Sequence, residues 1–197
     1  MRIASMIILA LMWVPASVRG QATASAESFG VSVSTVTVNQ KTPSAVLPAD
    51  GGTTQDQAGA VTVANLVTAQ DVFAIVSGSS DDASDAVSNA TLGSVSILGG
   101  LITADGVVAV ATSTLGNSNA DGSSLANLVV NGVELEDPAP NTRVDLAGVG
   151  YVVLNEQIPT DGGLTVNMIH VVLQQPTLTG LRTTGDIVVG SASSSVN

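Results

Sequence analysis

The sequence predicts a secreted all-β domain, an antiparallel β-sandwich of about ten strands in jelly-roll or Greek-key order, with few or no helices. Three observations predict it. Apolar and polar residues alternate with a period of two along most of the chain, the pattern of strands buried on one face. Asp50-Gly51, Asp105-Gly106, Asp121-Gly122, Asn131-Gly132 and Asp161-Gly162 supply pairs that tolerate positive φ, as tight turns require. No stretch of ten or more residues joins a helical apolar stripe to caps at both ends.

The elements follow in order. MRIASMIILALMWVPASVRG has a basic residue at Arg2, an apolar run from Ile3 to Val14 and small residues after it, which reads as a secretory signal. Cleavage falls after Gly20 or within ATASA, where Ala22, Ala24 and Ala26 form two A-x-A patterns. Residues 1–26 are therefore read as signal and small polar leader, and residues 27–197 as a single β-sandwich domain. In FGVSVSTVTV, Phe29, Val31 and Val33 share one face, and the change of parity at Ser34-Thr35 reads as a bulge or a crossing between sheets. Further strands are read from Ala60, Asp71, Ala90 and Gly106, then from Ser124, Val149, Leu164 and Gly185. DDASDAVSNA from Asp81 is the one helical-turn candidate.

Composition excludes several classes. Without residues 1–20, three basic residues (Lys41, Arg143, Arg182) face 16 acidic ones, a formal charge of −13, which repels nucleic acid and anionic membranes. Charged residues make up 11% of the chain and apolar ones 45%, a balance that supports a core and disfavours disorder. Cysteine is absent, so stability must come from packing and the hydrogen-bonded ladder, as in a bacterial exported protein without disulfides. The Asn89-Ala90-Thr91 sequon is a chance match in a Ser/Thr/Asn-rich chain and carries no function.

LGSVSILGGLITADGVVAVATS at 92–113, NLVVNG at 127–132, PNTRVDLAGVGYVVLNEQ at 140–157, LTVNMIHVVL at 164–173 and GDIVVGSASSSV at 185–196 together resemble the choice-of-anchor P family of exported bacterial surface proteins. The resemblance covers most of the mature chain. It implies a secreted or wall-associated domain with no enzymatic activity to transfer, in a family whose members differ in their C-terminal anchors. Here no apolar tail, basic stop-transfer cluster or sorting motif follows GDIVVGSA, so the chain is expected either to be released or to be retained by binding to itself or to another surface component.

Candidate chemistry is sparse. His170, the one histidine, shares a face by alternation with Leu164, Val166, Met168 and Val172, and reads as a structural residue hydrogen-bonded at a sheet edge instead of a general base. No G-x-S-x-G elbow supports a serine hydrolase. Glu134, Glu136 and Asp137, like Asp81, Asp82 and Asp85, read as solvated loops and not as a glycosidase pair. With Trp13 in the signal, only Phe29, Phe73 and Tyr151 remain to stack on sugars. Asn117, Asn119, Asp121 and Gly122 match the first half of a calcium loop, but the twelfth position is Leu128 instead of a bidentate Glu, so a plain turn is preferred. No catalytic, cofactor-binding or metal residues are assigned, although weak calcium binding would relieve self-repulsion.

The expected function is that of a secreted or cell-surface structural or adhesive domain that associates with itself or with other envelope components, without nucleic acid or membrane insertion. A calcium-dependent or other ligand-binding module comes second, and an unrecognised hydrolase third. The expected pairing segment is the run from Phe29 to Val38, where Lys41 is the only edge-blocking charge nearby.

Overall fold

A computed structural model describes residues 22–80 and 84–197, so the expected secretory segment and two of the loop carboxylates, Asp81 and Asp82, lie outside the described residues. The chain forms two antiparallel sheets packed face to face. Its strands are β1 Ala24–Thr35, β2 Asn39–Val46, β3 Gly52–Val63, β4 Val67–Ser79, β5 Asp85–Ile97, β6 Ile102–Thr114, β7 Asn117–Asn119, β8 Ser124–Leu125, β9 Leu128–Val130, β10 Val133–Leu135, β11 Thr142–Leu146, β12 Gly150–Thr160, β13 Gly163–Thr177 and β14 Gly180–Val196. The first sheet runs β11-β12-β13-β14-β1-β2 and the second β10-β9-β6-β5-β4-β3.

This order is up-and-down, not the expected jelly roll or Greek key. The chain makes one circuit, crossing between sheets after β2 and after β10, and β14 closes the circuit beside β1. The described residues form fourteen strands instead of the expected ten, several of them short, and β7, β8 and β9 are three such pieces lying in succession along one side of β6. Three local expectations change with it. The parity switch at Ser34-Thr35 marks the β1–β2 hairpin, whose turn leaves Val36 88% exposed and is closed by Thr35 N donating to Val38 O at 2.7 Å. A strand begins at Asp85 where a helical turn was read. The run from Ala90 to Ala104 is interrupted by a turn at 98–101, and Asp105-Gly106 lies inside β6 instead of at a turn. The fold also takes in residues ahead of the expected boundary, because β1 starts at Ala24 and buries Ala24 and Ala26.

Alternation changes phase once in each long strand, always at the same transverse row. In β1 the buried positions are Ala24, Ala26 and Ser28, then Val31 and Val33; in β14 they are Ile187 and Val189, then Ala192 and Ser194. The register places Gly30 opposite Gly190, between the pairs Phe29↔Ser191 and Val31↔Val189. Met168 and Asn155 continue this row into β13 and β12. Gly59, Asp71, Gly93 and Gly106 form the matching row across β3 to β6. An extra residue in one strand is a bulge, but when every strand carries one at the same level, register survives and the sheet bends along a crease. Left-handed backbone falls on alternate strands of the row, at Asn155 (φ 48°), Gly190 (φ 64°), Asp71 (φ 51°) and Gly106 (φ 74°).

The creases face each other across the core. A Cβ on Gly30 would overlap Val72 Cγ1, and one on Gly190 would stand 2.8 Å from Val107 Cγ1. Valines of one sheet thus fill the space left by glycines of the other. On one side of the crease the core is built from large residues such as Ile97, Ile102, Leu128 and Leu154. On the other, Ala24, Ala26, Ala45, Ala74 and Ala86 form a cluster with Leu47, Val76 and Val196, and serines bridge the sheets directly. Ser28 Oγ donates to Ile75 O at 3.2 Å and Ser88 Oγ to Glu27 O at 2.6 Å, while Ser113 Oγ lies 2.8 Å from Ser194 Oγ. Ser88 Oγ also accepts from Ser193 N at 3.2 Å, tying β5 to both β1 and β14. Ser88→Ala removes both inter-sheet contacts, while Glu27 O and Ser193 N keep each other as partners in the β1–β14 ladder, so a loss of about 0.5 to 1.5 kcal/mol is expected in urea unfolding at constant m-value.

Candidate functional site

The crease decides where the candidate histidine points. Because the phase slips at Met168, Leu164 and Val166 face the core while Asn167, His170 and Val172 face outward. His170 therefore does not share a face with Leu164 and Val166, and β13 is the third of six strands instead of an edge. On that outer face, Glu156, Asn167 and Ser191 stand directly opposite one another on β12, β13 and β14. Ser191 Oγ donates to Asn167 Oδ1 at 2.8 Å, and Asn167 Nδ2 donates to Glu156 Oε2 at 2.7 Å. His170 Nδ1 lies 2.9 Å from the same carboxylate oxygen, and since an ionised carboxylate only accepts, Nδ1 carries the proton.

The electrostatics follow from this geometry. The hydrogen bond to Glu156 raises His170 above its ordinary value, burial works against it, and the charges of Glu156 and Asp186 add to the rise. Burial pushes Glu156 up, but the hydrogen bonds from His170 and Asn167 and the imidazolium charge outweigh it and hold the carboxyl below its ordinary range. The Ser191 hydroxyl is spent on Asn167 and does not reach the imidazole, so the network rivets three strands together and presents no nucleophile beside a base.

The remaining candidates are dispersed. Glu134, Glu136 and Asp137 are exposed around the three-residue strand β10. Asn117 and Asn119 belong to β7, and Asn119 Oδ1 accepts from Asp121 N at 3.1 Å, which gives that carbonyl a turn-closing role. Asp85 Oδ1 accepts from Ser79 Oγ at 2.6 Å. Among the described residues no three His, Cys, Asp or Glu side chains gather as a metal-binding group. Lys41 Nζ sits 4.7 Å from the centroid of the Phe29 ring, and Arg143 stacks 3.7 Å from that of Tyr151, so both aromatics of the first sheet are capped by cations.

Four strands form the sheet edges, and three are blunted. β2 carries Lys41 and Pro43, with Lys41 Nζ 2.6 Å from Glu27. β11 has five residues, including the Arg143–Asp145 ion pair at 3.1 Å, and β10 has three with Glu134. β3 differs: GTTQDQAGAVTV runs for twelve residues, eight of them exposed, without Lys, Arg or Pro. Its one charge is turned away from blocking duty, since Asp56 Oδ2 accepts from Ser44 N at 3.1 Å and Oδ1 from Gln57 N at 2.9 Å. The expected pairing segment, Phe29 to Val38, is not an edge, because β1 is hydrogen-bonded to β14 on one side and β2 on the other and the rest of the run forms the hairpin turn.

No family model, curated protein or solved structure matches the chain. The resemblance to the choice-of-anchor P family accordingly rests on the segments quoted for it.

Proposed function

We propose that this chain is a secreted or cell-surface β-domain without catalytic activity that works through protein association in the extracellular space, with β3 as its pairing strand. One observation carries the reading: among the described residues, β3 is the single long edge without a blocking device. An edge strand presents a row of backbone donors and acceptors to any extended partner, and natural proteins close such edges when they do not use them. The choice-of-anchor P resemblance and the secretory signal read in residues 1–20 support an extracellular setting. The outer-face network around His170 fits a structural part, since it joins strands and leaves no reactive group.

Light scattering after size exclusion, with and without millimolar calcium, tests the reading on the mature chain. Particles larger than a monomer are expected. Gln55→Lys combined with Gln57→Lys, both at exposed positions, should return the protein to smaller particles while leaving its thermal midpoint in place. A monomeric wild type, or assembly indifferent to these lysines, would refute the role of β3. A monomer that gains thermal stability with calcium would support a calcium-dependent module instead.

A further inference from the structure

The two ends of the sandwich differ in charge. At one end the turns 36–38, 64–66, 98–101, 131–132, 147–149 and 178–179 lie together. Leu98 N donates to Leu66 O at 2.7 Å, Asn131 N to Leu101 O at 2.9 Å and Gln174 N to Val149 O at 2.7 Å, and Thr35 pairs with Gly185. None of these six turns contains an ionisable residue. The opposite end carries Asp50 and Asp161 in its turns and Asp85 at the start of β5. For a chain of formal charge −11, two copies meeting at the acidic end would set carboxylate against carboxylate, whereas the other end, called the uncharged end for its turns, brings no carboxylate in those turns.

An arm projects from the uncharged end. β12 is last paired with β13 at Gly150↔Leu173 and β1 with β14 at Thr35↔Gly185, but the β13–β14 hairpin continues from Gln174↔Thr183 to Thr177↔Gly180. A two-stranded ribbon is marginal in water by itself. This one ends in Leu178, fully exposed, with Leu181 70% exposed beside it. Its only charge is Arg182, which forms none of the three ion pairs of the described residues. Along one flank runs a groove of about 490 Å³ between Pro176 and Leu181 of the arm and the β11–β12 turn, lined by Ala147 and Val149 and rimmed by Arg143 and Asp145.

We propose that this groove receives the arm of a second copy of the chain, so that two copies clasp end to end about a two-fold axis with Leu178 of each in the groove of the other. Arm and groove lie side by side at one end, which makes the contact self-complementary and closed. The arm's own tip cannot fill its own groove, because Pro176 and Leu181 wall that groove while paired with each other, and bending Leu178 back would break the pair. Charge agrees: the clasp carries the unpaired Arg182 of one copy toward Asp145 of the other, a carboxylate 82% exposed and shared only with Arg143. The contact does not use β3.

The absence of cysteine makes the test direct. Full-length mature protein carrying Leu178→Cys is mixed with protein carrying Ala147→Cys under mild oxidation. A disulfide joining the two different chains is expected, and its absence overturns the clasp. Both substitutions placed in one chain should still link two chains, whereas a bridge within one chain would show self-closure and overturn it too. Leu178→Asp should weaken the dimer at least tenfold in sedimentation equilibrium with unchanged circular dichroism, since the side chain touches nothing in the monomer; an undiminished dimer overturns the proposal. Cross-linking that survives Gln55→Lys with Gln57→Lys separates this contact from edge pairing, and cross-linking lost with them overturns the clasp as a contact of its own.

Discussion

Gly190→Ala is expected to lower the stability of the folded chain by about 2 to 6 kcal/mol, combining roughly 1 to 3 for forcing a side chain into left-handed backbone with about 1 to 3 for overpacking. Both causes are present at that position, where φ is 64° and the new methyl would stand 2.8 Å from Val107 Cγ1. Gly30→Ala separates them, because Gly30 is not among the positive-φ glycines and its main obstacle is Val72 Cγ1, with Pro43 Cδ a lesser one at 3.2 Å. Double-mutant cycles read from urea midpoints make the distinction measurable. Gly30→Ala with Val72→Ala should be more stable than the sum of the single changes, since removing the valine methyls makes room for the new one. Gly190→Ala with Val107→Ala should recover only the packing part. Additive effects in both cycles would show that the facing creases do not interlock.

That interlock is also where the sequence stopped being readable. Strand positions and most turns follow from alternation and from pairs such as Asp161-Gly162, because each is a local property of a few residues. A phase slip is recorded locally only as one misplaced small or polar residue. Gly93 or Met168 has no meaning alone; it acquires one when register sets it beside the slip of the next strand. Reading alternation straight through the slip therefore put Phe29 with Val31 and Val33, and His170 with Leu164 and Val166, when the two sides of the crease point oppositely. The Glu156–Asn167–His170 contacts were hidden for the same reason, since Asn167 and His170 share the outer face only because Met168 lies between them. Edge identity is a further step removed. That β1 is central and β3 terminal depends on β14 returning to close the circuit, which no stretch near residue 30 encodes.

The outer-face network leads to the second large effect, and its sign depends on pH. Glu156→Ala leaves Asn167 Nδ2, on a residue only 8% exposed, and His170 Nδ1 without their acceptor, a cost of about 1 to 3 kcal/mol near pH 5.5. The pH window follows from the two shifts. Glu156 titrates lower when folded, so its contribution is present above the ordinary value of 4.5 and fades as pH falls through the folded one. His170 titrates higher when folded, so its contribution is complete below the ordinary 6.5 and is lost as pH rises through the folded value. The groups acting on the imidazole are Glu156 from β12 and Asp186 from β14, both favouring its charged form. The stability difference between wild type and His170→Gln should therefore be greatest between these limits and shrink toward pH 8 and toward pH 3, and taking the difference cancels the self-repulsion of the chain as a whole. A single histidine gives a single imidazole resonance, so proton NMR reads the titration directly. Its midpoint should lie above 6.5 in the wild type and fall in Glu156→Gln, which keeps an acceptor for Asn167 while removing the charge. An unchanged midpoint would mean that the carboxylate does not hold the proton on Nδ1, and the pH-dependent part of the rivet would then have to come from Asp186.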